Sequence, residues 1–341
     1  MNDPLVLPTR RENGFLAFCK RNKSALIQYG SLLLVMMFFA TSTQGSIFKI
    51  ASLRTLLKQT APLMIIACGL IFVFAHGGMD ISVGAVIGLD FLVVIAVVNS
   101  LGPKIGGVGA AWIGLLVSLL LCMAIYAINC LASIYFRIMS TISSLAVMFI
   151  CRGIQSFFVS KTTDTIELSA NYSDIFDIFS SNYLFISLLC LAFAAVCLYL
   201  FRFTALGKYS KAIGDNETAA KQSGANVVLV KLIDYLVAGF AVGLATIFLL
   251  ARVGSVSENT GSGKEMDVII IIILGGMALS GGESSRMSAG IIGALTYSLL
   301  SLGLSIMRVD SNYVSLVKAA IFFAIIALTL TPKGRAKFIP R

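Results

Sequence analysis

The stretch Gly77-Gly78-Met79-Asp80-Ile81-Ser82-Val83-Gly84 sets a carboxylate, a hydroxyl and flexible backbone inside a long apolar run. A near copy, Gly275-Gly276-Met277-Ala278-Leu279-Ser280-Gly281-Gly282, returns late in the chain. The chemistry open to such residues is recognition rather than bond breaking. A carboxylate beside a hydroxyl accepts hydrogen bonds from a hydroxylated solute and repels an anionic one. Non-helical backbone among apolar segments survives only where protein buries it or where it lines a wet cavity. Two breaks at matching places in two halves of one chain point to a transport pathway. Gly77, Gly78, Asp80, Ser82, Gly275, Gly276 and Ser280 are therefore candidates for the pathway or its gate. Asp80 also suits an N-cap for a helix Ile81–Val98, accepting amide hydrogens of the first turn, and capping is compatible with a pathway role.

Other polar residues interrupt the apolar runs. A central Arg costs roughly 2.5–3.5 kcal/mol on insertion scales. Arg152 is accordingly expected to face protein and to pair with a carboxylate or with helix-end carbonyls. A structural ion pair and a pathway role both stay open for it, and Asn129 joins the pathway candidates. Asp90 has no partner that the sequence names, and Lys318 lies near the end of its run, where it can snorkel. His76 is the only histidine, so a multi-histidine metal site is excluded.

No hydrolytic constellation is present. A phosphate-cradling loop needs Gly-x-x-x-x-Gly-Lys-Ser/Thr. The nearest imitation, Gly261-Ser262-Gly263-Lys264, runs into Glu265, lacks the first glycine and is expected outside the membrane. Any ATP work falls to another subunit, and no cofactor is expected in this one. A separate loop, Ala212-Ile213-Gly214-Asp215-Asn216-Glu217-Thr218-Ala219-Ala220-Lys221-Gln222-Ser223-Gly224, predicts a short helix capped by Asp215 or Asn216 and ended by Gly224. The small Ala219 and Ala220 would let another surface approach. Gly214, Asp215, Asn216, Glu217, Ala219, Ala220 and Gly224 are the candidates for passing motion from a cytoplasmic motor.

The elements that must position these residues are membrane helices. The chain is 58% hydrophobic and 12% charged, with a mean hydropathy of +0.94, whereas a soluble domain carries about 25% charged residues. Apolar runs at Ala25–Ala40, Ala61–Ala75, Ile81–Val98, Ala110–Ser133, Thr141–Val159, Tyr183–Phe201, Leu232–Leu250, Val268–Leu279, Met287–Met307 and Val314–Leu330 predict about ten crossings. The fold class is an all-α integral membrane protein with glycine-interrupted helices and an internal repeat. Both breaks follow an inward-going crossing, which makes the two halves parallel. Val268–Leu279 is too short alone and must extend toward Glu265 or into the second break. Gly239-Phe240-Ala241-Val242-Gly243 allows close helix packing within the protein. Six of the cysteines lie in apolar runs as small hydrophobes.

The net charge of +10 does not indicate nucleic acid, because the basic residues border apolar runs. They cluster before the first run, between Arg202 and Lys231, and after the last run. Short basic loops face the cytoplasm. This places a cytoplasmic segment at 1–24, the permease domain at 25–330 with its inner loop at about 202–231, and a cytoplasmic tail at 331–341. Lys161–Asn182 falls outside. Lys49, Arg54 and Lys58 dissent and suggest an interfacial helix. The basic-then-apolar N-terminus lacks a small-x-small cleavage site and reads as a retained anchor.

In order along the chain, these motifs resemble the permease subunits of bacterial ABC importers for ribose, xylose, galactose and autoinducer-2. Residues 77–84 resemble the family's Gly-Gly-Ile-Asp-Leu-Ser-Val-Gly, and 212–224 its Ala-x-Gly-x-Asn-x-x-Ala-Ala-x-x-x-Gly. Arg152-Gly153 matches its Arg-Gly pair, Gly261 to Asp267 its Gly-x-Gly-x-Glu-Leu-Asp, and Leu274–Gly282 its Leu-Gly-Gly-x-x-Leu-Ser-Gly-Gly. Val317-Lys318 matches the end of its Val-Val-Lys, whereas Glu283-Ser284-Ser285 replaces its Gly-Arg-Gly. The resemblance implies a permease working with a second copy or a paralogue in a bacterial inner membrane. It also implies cytoplasmic ATPases gripping 212–224 and an external solute-binding protein delivering a sugar. The competing readings are an ion-driven secondary transporter, a membrane scaffold or receptor without transport, and the same importer carrying nucleosides or branched-chain amino acids.

Overall fold

The computed structural model describes residues 23–162, 165–169, 176, 178–310, 313, 314, 316, 317, 319, 320 and 323. The α-helices are α1 (Lys23–Ser42), α2 (Ile50–Ala75), α3 (Val83–Ile105), α4 (Gly107–Tyr135), α5 (Ser140–Val159), α6 (Tyr183–Phe203), α7 (Ala205–Asp215), α8 (Glu217–Gln222), α9 (Val227–Val253), α10 (Lys264–Leu274) and α11 (Met287–Ile306). The sheet content among the described residues is one antiparallel pair, β1 (Thr165–Glu167) with β2 (Ser255–Ser257), in which Ile166 faces Val256. Among the described residues seven helices, α2 to α6, α9 and α11, are long and apolar enough to cross a membrane. The protein is an all-α, multi-pass membrane protein. Most of the expected crossing Val314–Leu330, with Lys318, and the terminal segments 1–22 and 331–341 lie outside the described residues.

Burial sorts the helices. Every residue of α2 from Thr60 to Ala75 is buried, as expected of a helix that is apolar all round. It packs on α9, α11 and α6. α4, α5 and α6 instead present large apolar side chains outward, including Trp112, Leu120, Phe149 and Leu188. Gly239 and Gly243 seat α9 on α4: a Cβ at Gly239 would stand 2.8 Å from the Cys122 carbonyl, and one at Gly243 would stand 3.0 Å from the Leu119 Cα. The glycine pair serves internal packing, as its spacing suggests. Cys68, Cys122, Cys130, Cys151, Cys190 and Cys197 are buried free thiols.

The expected interfacial helix around Lys49, Arg54 and Lys58 is not a separate element. Ile50 to Ala75 is one helix of 26 residues, about 39 Å long, and it passes through Pro62 without ending. Its length exceeds the hydrocarbon core of roughly 30 Å, so its first turns overhang the apolar layer. There Arg54 and Lys58 lie over the Tyr183 ring, 5.1 Å and 5.2 Å from its centroid.

The two ends of the bundle are distinct. One carries the strand pair, tied down by Asn99, whose Nδ2 donates to the Glu167 carbonyl and whose Oδ1 accepts from the Ser169 amide. The other carries the basic segment between α6 and α9. We call these the strand end and the basic end.

Candidate functional site

Both helix breaks converge at the basic end. α2 stops at Ala75 and α10 at Leu274, and the peptide loops that follow press together. A Cβ on Gly281 would stand 2.5 Å from the Phe74 carbonyl, 2.6 Å from that of Ala75 and 2.8 Å from the Gly77 amide nitrogen. Both helices therefore end at one place. Gly275 is equally tight, its Cα facing the Ala289 carbonyl of α11. Gly276 takes a left-handed φ of 74° to leave the helix, and Ser280 is exposed.

The segment after α2 departs from the expected capping. α3 begins at Val83, not Ile81, and its N-cap is Ser82, which makes no side-chain cap bond. Asp80 lies too early to cap. Its Oδ1 accepts from the Ser82 amide (2.8 Å) and the Ser82 hydroxyl (2.7 Å), a local turn that competes with helix initiation. The neighbouring amides of Met79 and Ile81 are satisfied by Ser140 Oγ (3.0 Å) and Ser144 Oγ (3.2 Å) of α5. The break is thus pinned to α5 by hydroxyls.

A second discontinuity lies at mid-depth. Gly84 lies in the first turn of α3, and Asn99 on the same helix holds the strand pair, so Gly84 sits about 22 Å below it. Gly261 packs directly on the Gly84 carbonyl, and Gly88 meets the side chain of Gln155 and the Thr260 carbonyl. Residues 258–263 therefore dip into the bundle from the strand end, and the stretch Gly261-Ser262-Gly263-Lys264 is packed in part against α3 rather than standing clear of the helices. The half-length helix α10, with 11 residues, begins there. Its shortness in the apolar run Val268–Leu279 is the signal that could have located this re-entrant loop. Arg152 Nη1 donates to the Thr260 carbonyl (2.6 Å) and to Gln155 Oε1 (3.2 Å), while Gln155 Nε2 donates to the Ser257 carbonyl (2.7 Å). Among the described residues the partners of Arg152 are a loop carbonyl and the Gln155 side chain, not a carboxylate or a helix end. Glu258, Asn259, Ser262 and Gly263 are exposed on this face, although exposed irregular backbone is not stable against lipid. Water or further protein must cover it.

The basic segment connects to the breaks. Gly214, at the end of α7, collides with the Ala75 carbonyl if given a Cβ and would come 2.6 Å from the Gly282 amide nitrogen. Both Asp215 carboxylate oxygens accept from the Glu283 amide at 3.1 Å. Asn216 caps α8, its Oδ1 accepting from the Ala219 amide at 3.1 Å, and Gly224 follows with φ 87°. Glu217 pairs with Lys231 at 2.8 Å. Ala219 is exposed, but Ala220 is not: it packs with Ile213, Ala225 and Val230. An approaching surface can meet Ala219 only, because a six-residue helix turns its apolar side inward.

The sequence candidates thus fall into groups. Gly77, Gly78, Gly275, Gly276, Ser280, Gly214 and Asp215 gather at the basic end. Asp80, Ser82 and Asn129 are each 1% exposed, buried inside one chain rather than lining an open surface. Arg152 stands apart at mid-depth. Asp90 is buried between α3 and α4, accepting from the Ser118 hydroxyl at 2.5 Å. Ser140, Ser144 and the 258–263 loop were not foreseen.

Comparison with known proteins agrees with this architecture. Residues 52–326 match the family described as branched-chain amino acid transport system / permease component. The ribose import permease protein of Escherichia coli strain K12 is 31% identical over 306 residues, covering 88% of this chain and 92% of that one. The protein of the same name from Bacillus subtilis strain 168 is 31% identical over 308 residues, covering 89% and 92%. The xylose transport system permease protein of Escherichia coli strain K12 is 26% identical, covering 97% and 98%. No solved structure matches. With breaks, re-entrant loop and basic segment in place, and with most of its length matched, the chain belongs to the branched-chain amino acid transport system / permease component family.

Proposed function

We propose that this chain is the membrane-spanning subunit of an ATP-driven importer of a monosaccharide. It works as a pair in a bacterial inner membrane, with its basic end and both termini in the cytoplasm. Separate ATPase subunits seat on α8, and an external binding protein delivers the solute at the strand end. The observation that carries this reading is the contact of Gly214 and Asp215 with both helix breaks. A push on α8 passes through α7 to the break loops, and from Met79 and Ile81 to α5 through Ser140 and Ser144. The exposed polar loop 258–263 fits a second copy across a wet path. The sugar assignment rests on the relatives named for ribose and xylose.

Reconstitution tests it. Liposomes holding the chain, its ATPase and its binding protein are expected to accumulate ribose or a related sugar only with ATP. Uphill transport by the chain alone on an ion gradient would overturn the reading, and leucine competing where sugars do not would move the cargo to amino acids.

Asp215→Ala removes the acceptor for the Glu283 amide. One such hydrogen bond is worth about 0.5–1.5 kcal/mol net, more to a charged group. Uptake is expected to fall about fivefold to tenfold at saturating ATP, with folding nearly unchanged and Asp215→Asn intermediate. Equal uptake in all three proteins would exclude the latch.

A further inference from the structure

A cleft of about 950 Å³ opens at the basic end between the α4–α5 turn and the α8–α9 segment. Its volume suits a small-molecule site. Arg137, Lys221 and Lys231 line it, with Ser140 at the first turn of α5, and His76 and Tyr235 form its buried wall. Glu217, the acidic residue there, is engaged with Lys231 at 2.8 Å. Among the described residues neither Arg137 nor Lys221 has an ion-pair partner. His76 is 8% exposed and lines the cleft, and its buried Nε2 has no hydrogen-bond partner among the described residues. α5 starts at Ser140, its N-cap Met139 makes no side-chain cap bond, and this end opens into the same cleft, adding the positive end of a helix dipole. Unpaired cations, an unpartnered buried imidazole nitrogen and a helix start converge on one volume, and this combination suits a multiply charged oxyanion.

We propose that this cleft binds a phosphate-bearing ligand, either a soluble phosphorylated compound or the headgroup of an anionic lipid. An occupant would bridge Arg137 on the α4–α5 turn to Lys221 on α8. If the importer reading holds, on which this consequence alone rests, that bridge ties the moving segment to α5 and slows uptake.

The test is binding, which needs no transport. The full chain in phosphatidylcholine nanodiscs is titrated with radiolabelled inorganic phosphate. In parallel, discs doped with phosphatidylglycerol are analysed for lipid retained by the protein. Saturable phosphate binding in the undoped discs identifies a soluble source, and selective retention of phosphatidylglycerol identifies a headgroup. Either must weaken at least about tenfold in Arg137→Gln/Lys221→Gln, with an unchanged elution profile. Lys208→Ala, an exposed basic residue outside the cleft, must leave binding intact. The proposal is overturned if neither probe binds, or if Lys208→Ala weakens binding as much. It is also overturned if the cleft residues crosslink only to an acidic partner protein and no phosphate competes.

Discussion

Ala219→Trp is expected to cut ATP-driven uptake more than about twentyfold while the protein still inserts and elutes normally. Ala219 is exposed on α8, beside the Glu217–Lys231 pair, so an indole there meets solvent in the isolated chain. Against the ATPase proposed to seat there it would be a misfit, and overpacking costs about 1–3 kcal/mol, or roughly a thirtyfold loss of productive engagement at the middle of that range. Ala220→Trp should fail differently. Ala220 is 5% exposed and shares a small cluster with Ile213, Ala225 and Val230, so the ring must displace α7 or the start of α9. The expected result is a loss of folded protein rather than uncoupling. The measurements are reconstituted uptake, affinity for the ATPase subunit, and yield from the membrane. Normal uptake by Ala219→Trp would remove α8 as the seat of the motor.

The second large effect concerns the joint between the breaks. Gly281 and Gly254 share a positive φ, 71° and 70°, but not ψ, which is −147° at Gly281 and 2° at Gly254. An added Cβ costs Gly254 about 1–2 kcal/mol of left-handed strain and Gly281 about 1–3 kcal/mol, in a region essentially reserved for glycine. Their surroundings differ. Nothing lies within 4 Å of a Cβ at Gly254, whereas one at Gly281 meets the Phe74 and Ala75 carbonyls and the Gly77 amide within 2.8 Å. Those atoms are backbone and cannot rotate away. Gly281→Ala is therefore expected to cost about 3–5 kcal/mol, the strain plus an overpacking term, and Gly254→Ala the strain alone. Melting of both variants in detergent reads the difference directly. Equal melting temperatures would mean that the breaks do not bear on each other.

Much of this was legible without coordinates. Apolar runs report burial in lipid directly, because each residue contributes its own transfer free energy, and glycine pairs report breaks because the cost is local. The caps of α8 were readable for the same reason: Asn216 and Gly224 act on amides within a few residues. Asp80 misled because two local options competed. Its turn with Ser82 displaced the helix start, and propensity alone does not rank them. Ala220 misled because a small residue reads alike on either face of a six-residue helix.

The amino-acid order by itself determined the helical class, the membrane and the paired breaks, all of which follow from properties summed along a few neighbouring residues. Only the tertiary structure decided that Gly214 rests on both breaks, that Ser140 and Ser144 satisfy the amides after α2, and that Gly261 lies against Gly84 deep in the bundle. Those pairings join residues tens to hundreds of positions apart. Their energies depend on which backbone atoms close packing brings within van der Waals reach, and no local property of the chain encodes that distance.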